Sequence, residues 1–131
     1  MSILLDTNIC IAYLSGTVKN VQKRLLSRTP DEICLCSVVK AELLYGARNS
    51  TNVAANMARL ERFFAPLPSL PFDDEAADWY GSIRAQLKRE GTPIGSNDLM
   101  IAAIARARDA KIVTRNQSEF RRVIGLQVEV W

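Results

Sequence analysis

The chain has 131 residues, 48% of them hydrophobic and 24% charged, the size and apolar content of one compact domain and too little for two. It contains no histidine, which excludes Ser-His-Asp triads, Cys-His pairs, histidine-relay nucleases and the common zinc sites. Any catalysis must run on carboxylates, hydroxyls, amines or a bound metal, and the net charge of +3 permits a polyanionic partner without requiring one.

In chain order, Ile3 to Leu5 reads as a short buried strand and Asn8 to Leu14 as a helix beginning just after Asp6, closed by Ser15 and Gly16. Val18 to Ser27 reads as an amphipathic helix, and after a turn at Pro30 and Asp31 the segment "EICLCS" gives a second apolar strand. Ser37 is placed to cap a helix from Val38 to Arg48, and Thr51 to cap one running to about Phe64. Pro66, Pro68 and Pro71 mark an irregular link with a strand near Leu67 to Phe72. Asp73, Asp74 and Glu75 put negative charge at the start of a long helix ending near Glu90 and Gly91. "GTPIGS" is a loop. Ser96 then starts "NDLMIAAIARARDA", a helix apolar nearly all round in its first three turns and therefore central. "KIVT" is a strand, "RNQSEFRR" a loop or short helix, and "LQVEVW" a last strand.

Short apolar strands alternating with helices predict an α/β domain with a mainly parallel sheet and helices on both faces. Ligands of such sheets sit at the carboxyl ends of the strands, where strand order reverses, and Asp6 lies at one such end. No apolar run approaches the roughly 18 residues needed to span a bilayer, and the start has no secretory pattern, so a soluble, intracellular protein is expected. Cys34 and Cys36, two apart on a strand, read as structural thiols rather than a CxxC pair.

Three acids occur where apolar residues are expected. Asp6 stands between a buried strand and a buried helix. Glu42 falls on a stripe with Val38, Ala41 and Tyr45, and Asp98 shares a helix face with Ile101, Ala102 and Ala105. Taken singly, Asp6 reads as a helix cap, Glu42 as an edge residue with its head in solvent, and Asp98 as a helix-start charge. Taken together they read as a cluster. Two like charges about 4 Å apart repel by roughly 4 kcal/mol at an effective dielectric near 20, so such a cluster needs a cation, and an all-oxygen donor set points to Mg2+ or Mn2+.

"LLDTNICIAYL", "SVVKAELLYGA", "GSNDLMIAAIARA" and "KIVTRNQSEF" occur in an order and spacing that resemble the PIN domain, specifically the VapC toxins of bacterial VapBC toxin-antitoxin pairs, over essentially the whole chain. The resemblance implies a three-layer α/β/α sandwich with a four- or five-stranded sheet, and a ribonuclease site in which Asp6, Glu42 and Asp98 hold Mg2+ or Mn2+. It also implies cleavage of structured RNA, often tRNA, a cytoplasmic bacterial toxin, a homodimer and a VapB-type antitoxin that blocks the site. Many PIN domains carry a further acid in a TxDxxF pattern. This chain reads Thr114-Arg115-Asn116-Gln117-Ser118-Glu119-Phe120, with Asn116 in the acid's place and Glu119 as the alternative source of charge.

The residue types suit phosphodiester hydrolysis that leaves a 5'-phosphate and a 3'-hydroxyl. Thr7, Asn8 and Thr114 are candidates to hydrogen-bond the acids or the phosphate, and Arg115, Lys88, Arg89, Arg121 and Arg122 to meet the RNA backbone. Local capping is the competing role for the first three, and an ordinary solvated face for the cations. A haloacid dehalogenase-like phosphohydrolase would also place an aspartate after its first strand, but its DxDxT pattern needs an acid where Asn8 stands. A receiver domain lacks its paired acids here. A PIN-like module without activity is the non-enzymatic alternative.

Overall fold

A computed structural model of the chain describes residues 2–131. Five strands, β1 (Ile3–Leu5), β2 (Ile33–Cys36), β3 (Ser69–Leu70), β4 (Lys111–Thr114) and β5 (Val128–Val130), form one sheet in the order β3-β2-β1-β4-β5. Every pairing is parallel, with Ile3 beside both Ile33 and Lys111. The chain starts at the centre, steps outward through β2 to β3, and returns across β1 to build β4 and β5 on the other side. Because parallel crossovers are right-handed, this reversal puts helices on opposite faces and gives the three-layer α/β/α sandwich.

The helices are α1 (Thr7–Ser15), α2 (Lys19–Leu26), α3 (Ser37–Arg48), α4 (Val53–Phe64), α5 (Asp74–Arg89) and α6 (Ser96–Arg108). Helix α6 packs along α5 and against α3 and β4. Its Ile101, Ala102, Ala103, Ile104 and Ala105 are all buried, as its all-round apolar composition requires. Strands β1 and β2 are buried throughout. The cysteines at 10, 34 and 36 are free and buried, which fits structural thiols. No helix is long and apolar enough to cross a membrane.

Two caps lie one residue from their expected positions. The N-cap of α3 is Cys36, and Ser37 enters the helix, its hydroxyl directed 3.4 Å to the carbonyl of Leu70. Helix α4 is capped by Asn52, whose side chain accepts from the Ala55 N–H, rather than by Thr51. Helix α6 has Gly95 at its N-cap, with Ser96 as the first helical residue.

The stripe assigned to α3 is corrected more substantially. Val38, Val39, Leu43 and Ala47 are its buried residues, whereas Ala41 faces solvent and Tyr45 is 70% exposed. Two apolar rows run along this helix, 38-41-45 and 39-43-47, and packing against α4 and α1 selects the second. Glu42 is half-buried on the border of that row.

Candidate functional site

The topology reverses between β1 and β4, and the carboxyl ends of these two strands carry Asp6 and Thr114. Among the described residues these are the two buried polar side chains, 5% and 0% exposed. They bond to each other: the Thr114 hydroxyl donates to Asp6 Oδ2. Asp6 Oδ1 meanwhile accepts from the Ile9 N–H at 2.9 Å and caps α1. The capping role and the role as an inward-facing acid therefore coexist, one on each oxygen. Burial, reinforced by the charge of Glu42, pushes the Asp6 carboxyl above the ordinary carboxylate range against the pull of its hydrogen bonds from Thr114 and Ile9.

Glu42 enters from α3, and the Thr7 hydroxyl donates to its Oε1 at 2.8 Å, tying the first turn of α1 to the middle of α3. Asp98 comes from the first turn of α6 and is half-buried. Its carboxyl is pushed up to about 7, first by burial, then by hydrogen bonding to Glu119, then by the charges of Glu119, Asp6 and Glu42. Four acids from four segments thus feel one another at the switch point of the sheet.

Glu119 is the member that sequence reasoning only half resolved. Residues 114–118 form a tight turn in which the Asn116 N–H donates to the Thr114 hydroxyl at 3.0 Å. The Asn116 side-chain oxygen accepts from the Ser118 hydroxyl and N–H at 2.9 and 3.3 Å. Asn116 is exposed, its oxygen is occupied within the turn, and the acid that the turn presents to Asp98 is Glu119. Phe120, fully buried, anchors the far side of the turn. The signal in the sequence was this pairing of an acid with a core aromatic.

The other candidates distribute as follows. Asn8 is exposed on α1, and its backbone N–H adds to the cap on Asp6. Arg115 is exposed directly after Thr114. Arg121 bonds Gln117 at 2.6 Å. Arg122 donates to the carbonyl of Pro93 at 2.9 Å, joining the segment after Glu119 to the loop before α6; this latch gave no sign in the sequence. Lys88 and Arg89 are exposed at the end of α5.

The ion pairs among the described residues join Arg24, Arg28, Arg108 and Lys111 to Glu32, Asp73, Glu75 and Glu129. None involves Asp6, Glu42, Asp98 or Glu119, so the cluster carries uncompensated negative charge. The acids are turned toward hydroxyls, an N–H and one another, and no three Asp, Glu or Cys side chains among the described residues are gathered closely enough to enclose an ion. The donor chemistry, all oxygen and without a counter-charge, fits a hard divalent cation.

This fold and this arrangement of acids define a class. Residues 3–126 match the PIN domain family, and the chain belongs to it. Its relatives narrow the position further, to the VapC members. A tRNA(fMet)-specific endonuclease VapC of Shigella flexneri is 41% identical over 131 residues, covering all of this chain and 98% of that protein. Ribonuclease VapC2 of Rickettsia felis is 36% identical, again over all of this chain and 98% of the relative. Among solved structures, DNA-bound VapBC from Salmonella typhimurium superimposes with a TM-score of 0.93 at 38% identity, covering all of this chain and 98% of the matched one. VapBC2 from Rickettsia felis, bound to a promoter DNA fragment, superimposes with a TM-score of 0.90 at 34% identity, covering 100% and 99%.

Proposed function

We propose that this PIN domain is a Mg2+- or Mn2+-dependent endoribonuclease, the toxin of a VapBC-type pair, which cleaves structured RNA, tRNA foremost, and so inhibits translation in the bacterial cytoplasm. The observation that carries this reading is the set of four acids, with Asp98 feeling the other three, that has no cationic partner at the switch point of the sheet. The tRNA assignment draws on the name of the Shigella flexneri relative, and the partner assignment on the VapBC complexes that share the fold.

In this reading Asp6, Glu42 and Asp98 hold the cation and Glu119 supplies the fourth carboxylate, while Asn116 shapes the turn that presents it. When bound, the ion supplies charge to the scissile phosphate and lowers the pKa of a water for in-line attack. The protein's own groups do the positioning. The Thr7 hydroxyl orients Glu42, and the Thr114 hydroxyl and the Ile9 N–H fix both oxygens of Asp6. Arg115, one residue beyond Thr114, offers positive charge to the RNA backbone at the mouth of the site. Exposed apolar side chains at Ile11, Tyr45 and Ile124 leave surface for a second copy and for a VapB-type antitoxin. An antitoxin arginine delivered to four unpaired carboxylates would neutralise them.

The reading is tested by incubating the purified protein with total RNA, with and without Mg2+, beside Asp98→Asn. Discrete fragments with 5'-phosphate ends, dependent on the metal and absent with the variant, are expected. A 2',3'-cyclic phosphate end would contradict the mechanism. Absence of both cleavage and divalent-ion binding would instead favour a non-catalytic PIN-like module.

A further inference from the structure

Between α5 and the segment leading into α6 lies a cavity of about 310 Å³ that has no part in the acid cluster. Tyr80, Arg84 and Lys88, at successive i+4 positions along α5, line one wall, and Pro93 and Ser96 line the other. No acidic residue contributes to the lining. Neither Arg84 nor Lys88 enters an ion pair among the described residues. The charge lining the cavity is therefore wholly positive.

The guanidinium of Arg84 is already ordered. Its Nη1 donates to the Tyr80 hydroxyl at 3.1 Å, and its Cζ stands 5.9 Å from the centre of the Tyr80 ring. Tyr80 is in turn braced edge-on by Phe72, with centroids 6.0 Å apart. Tyr80, braced by Phe72, thus holds one cation at the mouth of a cavity, which lowers the ordering cost of any anion it meets.

Position decides which anion. Ser96 is the first residue of α6, two before Asp98 and so on a different face of the helix; the cavity adjoins the acids through Gly95. Gly95, immediately before Ser96, lies against Glu119: a Cβ there would stand 3.8 Å from Glu119 Oε2. A polyanion whose scissile phosphate is held at the acids must continue past one side of them, and here that side offers Arg84, Lys88 and the Ser96 hydroxyl. An acidic peptide would bring further carboxylates against four that are already uncompensated.

We propose that this α5/α6 cavity is a phosphate subsite for the RNA strand, in which Arg84, Lys88 and Ser96 hold a backbone phosphate flanking the scissile bond. The assignment rests on the endoribonuclease reading for the nature of the polyanion, but it can fail separately from it.

Binding is measured with bulk tRNA as the probe and full-length Asp98→Asn protein as the background, across a series of NaCl concentrations. Replacing both cations, Arg84→Gln with Lys88→Gln, is expected to weaken binding by tenfold or more. It should also lower the slope of log affinity against log salt by about 1, since losing one phosphate contact removes slightly less than one counterion. Lys88→Gln alone should lower the slope by less than the double variant does and leave the Arg84–Tyr80–Phe72 contacts in place, as judged by an unchanged unfolding midpoint. The charge-matched control Lys19→Gln with Lys23→Gln, on α2, should change neither quantity comparably. Equal losses from the two pairs would mean bulk charge only and overturn the subsite, as would unchanged tRNA binding in the Arg84/Lys88 variant. If wild-type protein never cuts RNA but tRNA binding still depends on Arg84 and Lys88, the catalytic reading falls and the subsite stands.

Discussion

Asp98 and Glu119 act on each other across the site, one on the first turn of α6 and one on the turn after β4, and burial together with the Glu119 carboxyl raises Asp98 to about 7. A pair of this kind holds a proton that a divalent cation must displace. Affinity for Mg2+ or Mn2+ is therefore expected to fall about tenfold for each pH unit below about 7, where one proton is released on binding. Titration calorimetry between pH 5.5 and 8.5 in buffers of different ionisation enthalpy would read both the affinity and the proton count. An affinity flat across that range would rule out the shared proton.

The same pair has a consequence for stability in the metal-free protein. Its folded pKa lies above the unfolded value, so between about 4 and about 7 the folded state binds more protons than the unfolded chain. Stability from this group is accordingly greatest at low pH within that window and declines as pH rises through about 7. Asp98→Asn, which cannot ionise, should match the wild type near pH 4 and exceed it in thermal midpoint at pH 8. Saturating Mg2+ should raise the wild type at pH 8 and leave the variant nearly unmoved. A variant less stable than the wild type at every pH would mean that Asp98 contributes to folding rather than opposing it.

Thr7 offers a test of orientation separate from charge. Its hydroxyl holds Glu42 Oε1 at 2.8 Å, and Thr7→Val keeps the shape of the side chain while removing the donor. Outer partners of metal-holding residues typically contribute 10- to 100-fold to metal affinity or activity, so a loss of about that size is expected with a small change in unfolding midpoint. Thr7→Ser retains the donor and should recover most of the activity. If Ser and Val behave alike, the hydroxyl has no part in setting Glu42.

Arg122 was a candidate for the RNA backbone, but its Nη1 is committed to the Pro93 carbonyl. That bond fastens the segment following Glu119 to the loop preceding Asp98, so Arg122 acts as a positioning residue for the pair. Arg122→Ala is expected to weaken Mn2+ binding about tenfold, and to have no further effect in a Glu119→Gln background, because the group being positioned is already gone. Additive losses in the double variant would indicate general destabilisation. A weakened tRNA affinity with unchanged Mn2+ affinity would return Arg122 to the RNA-contacting set.

The sequence carried the fold through strong, redundant signals. The central strands are short apolar runs and each helix has its own period, so β1, β2, β4 and all six helices fall where pattern alone puts them. Asp6 and Asp98 were legible for a related reason: an acid bounded by residues that must be buried has few places to point. Glu42 was located for a reason that did not hold, since Ala41 and Tyr45 of the 38-41-45 row face outward and the choice between two apolar rows is made by α4 and α1. Cap residues slipped by one position because Ser, Thr and Asn are interchangeable as caps by composition. The Asn116 turn and the Arg122 latch were invisible, as both depend on which backbone groups meet across more than 25 residues or within a turn of particular geometry.

Gly125 makes the last of these long-range dependences testable. It adopts φ +78°, a conformation that costs an L-residue about 1–2 kcal/mol, and its carbonyl accepts from Arg106 Nη1 at 2.9 Å. A Cβ there would meet the Arg106 guanidinium at 2.9 Å. Arg106 cannot easily yield, because its Cζ is stacked 4.3 Å from the centre of the Trp79 ring. Gly125→Ala therefore adds backbone strain to the loss of one hydrogen bond, worth about 1 kcal/mol, for a total of about 2–3 kcal/mol of destabilisation by urea unfolding. In an Arg106→Gln background the clash is relieved and only the strain remains, so the two changes should be less than additive. Full additivity would show that Gly125 is required by its backbone conformation alone, with the Arg106–Trp79 stack an independent contact between α6 and α5.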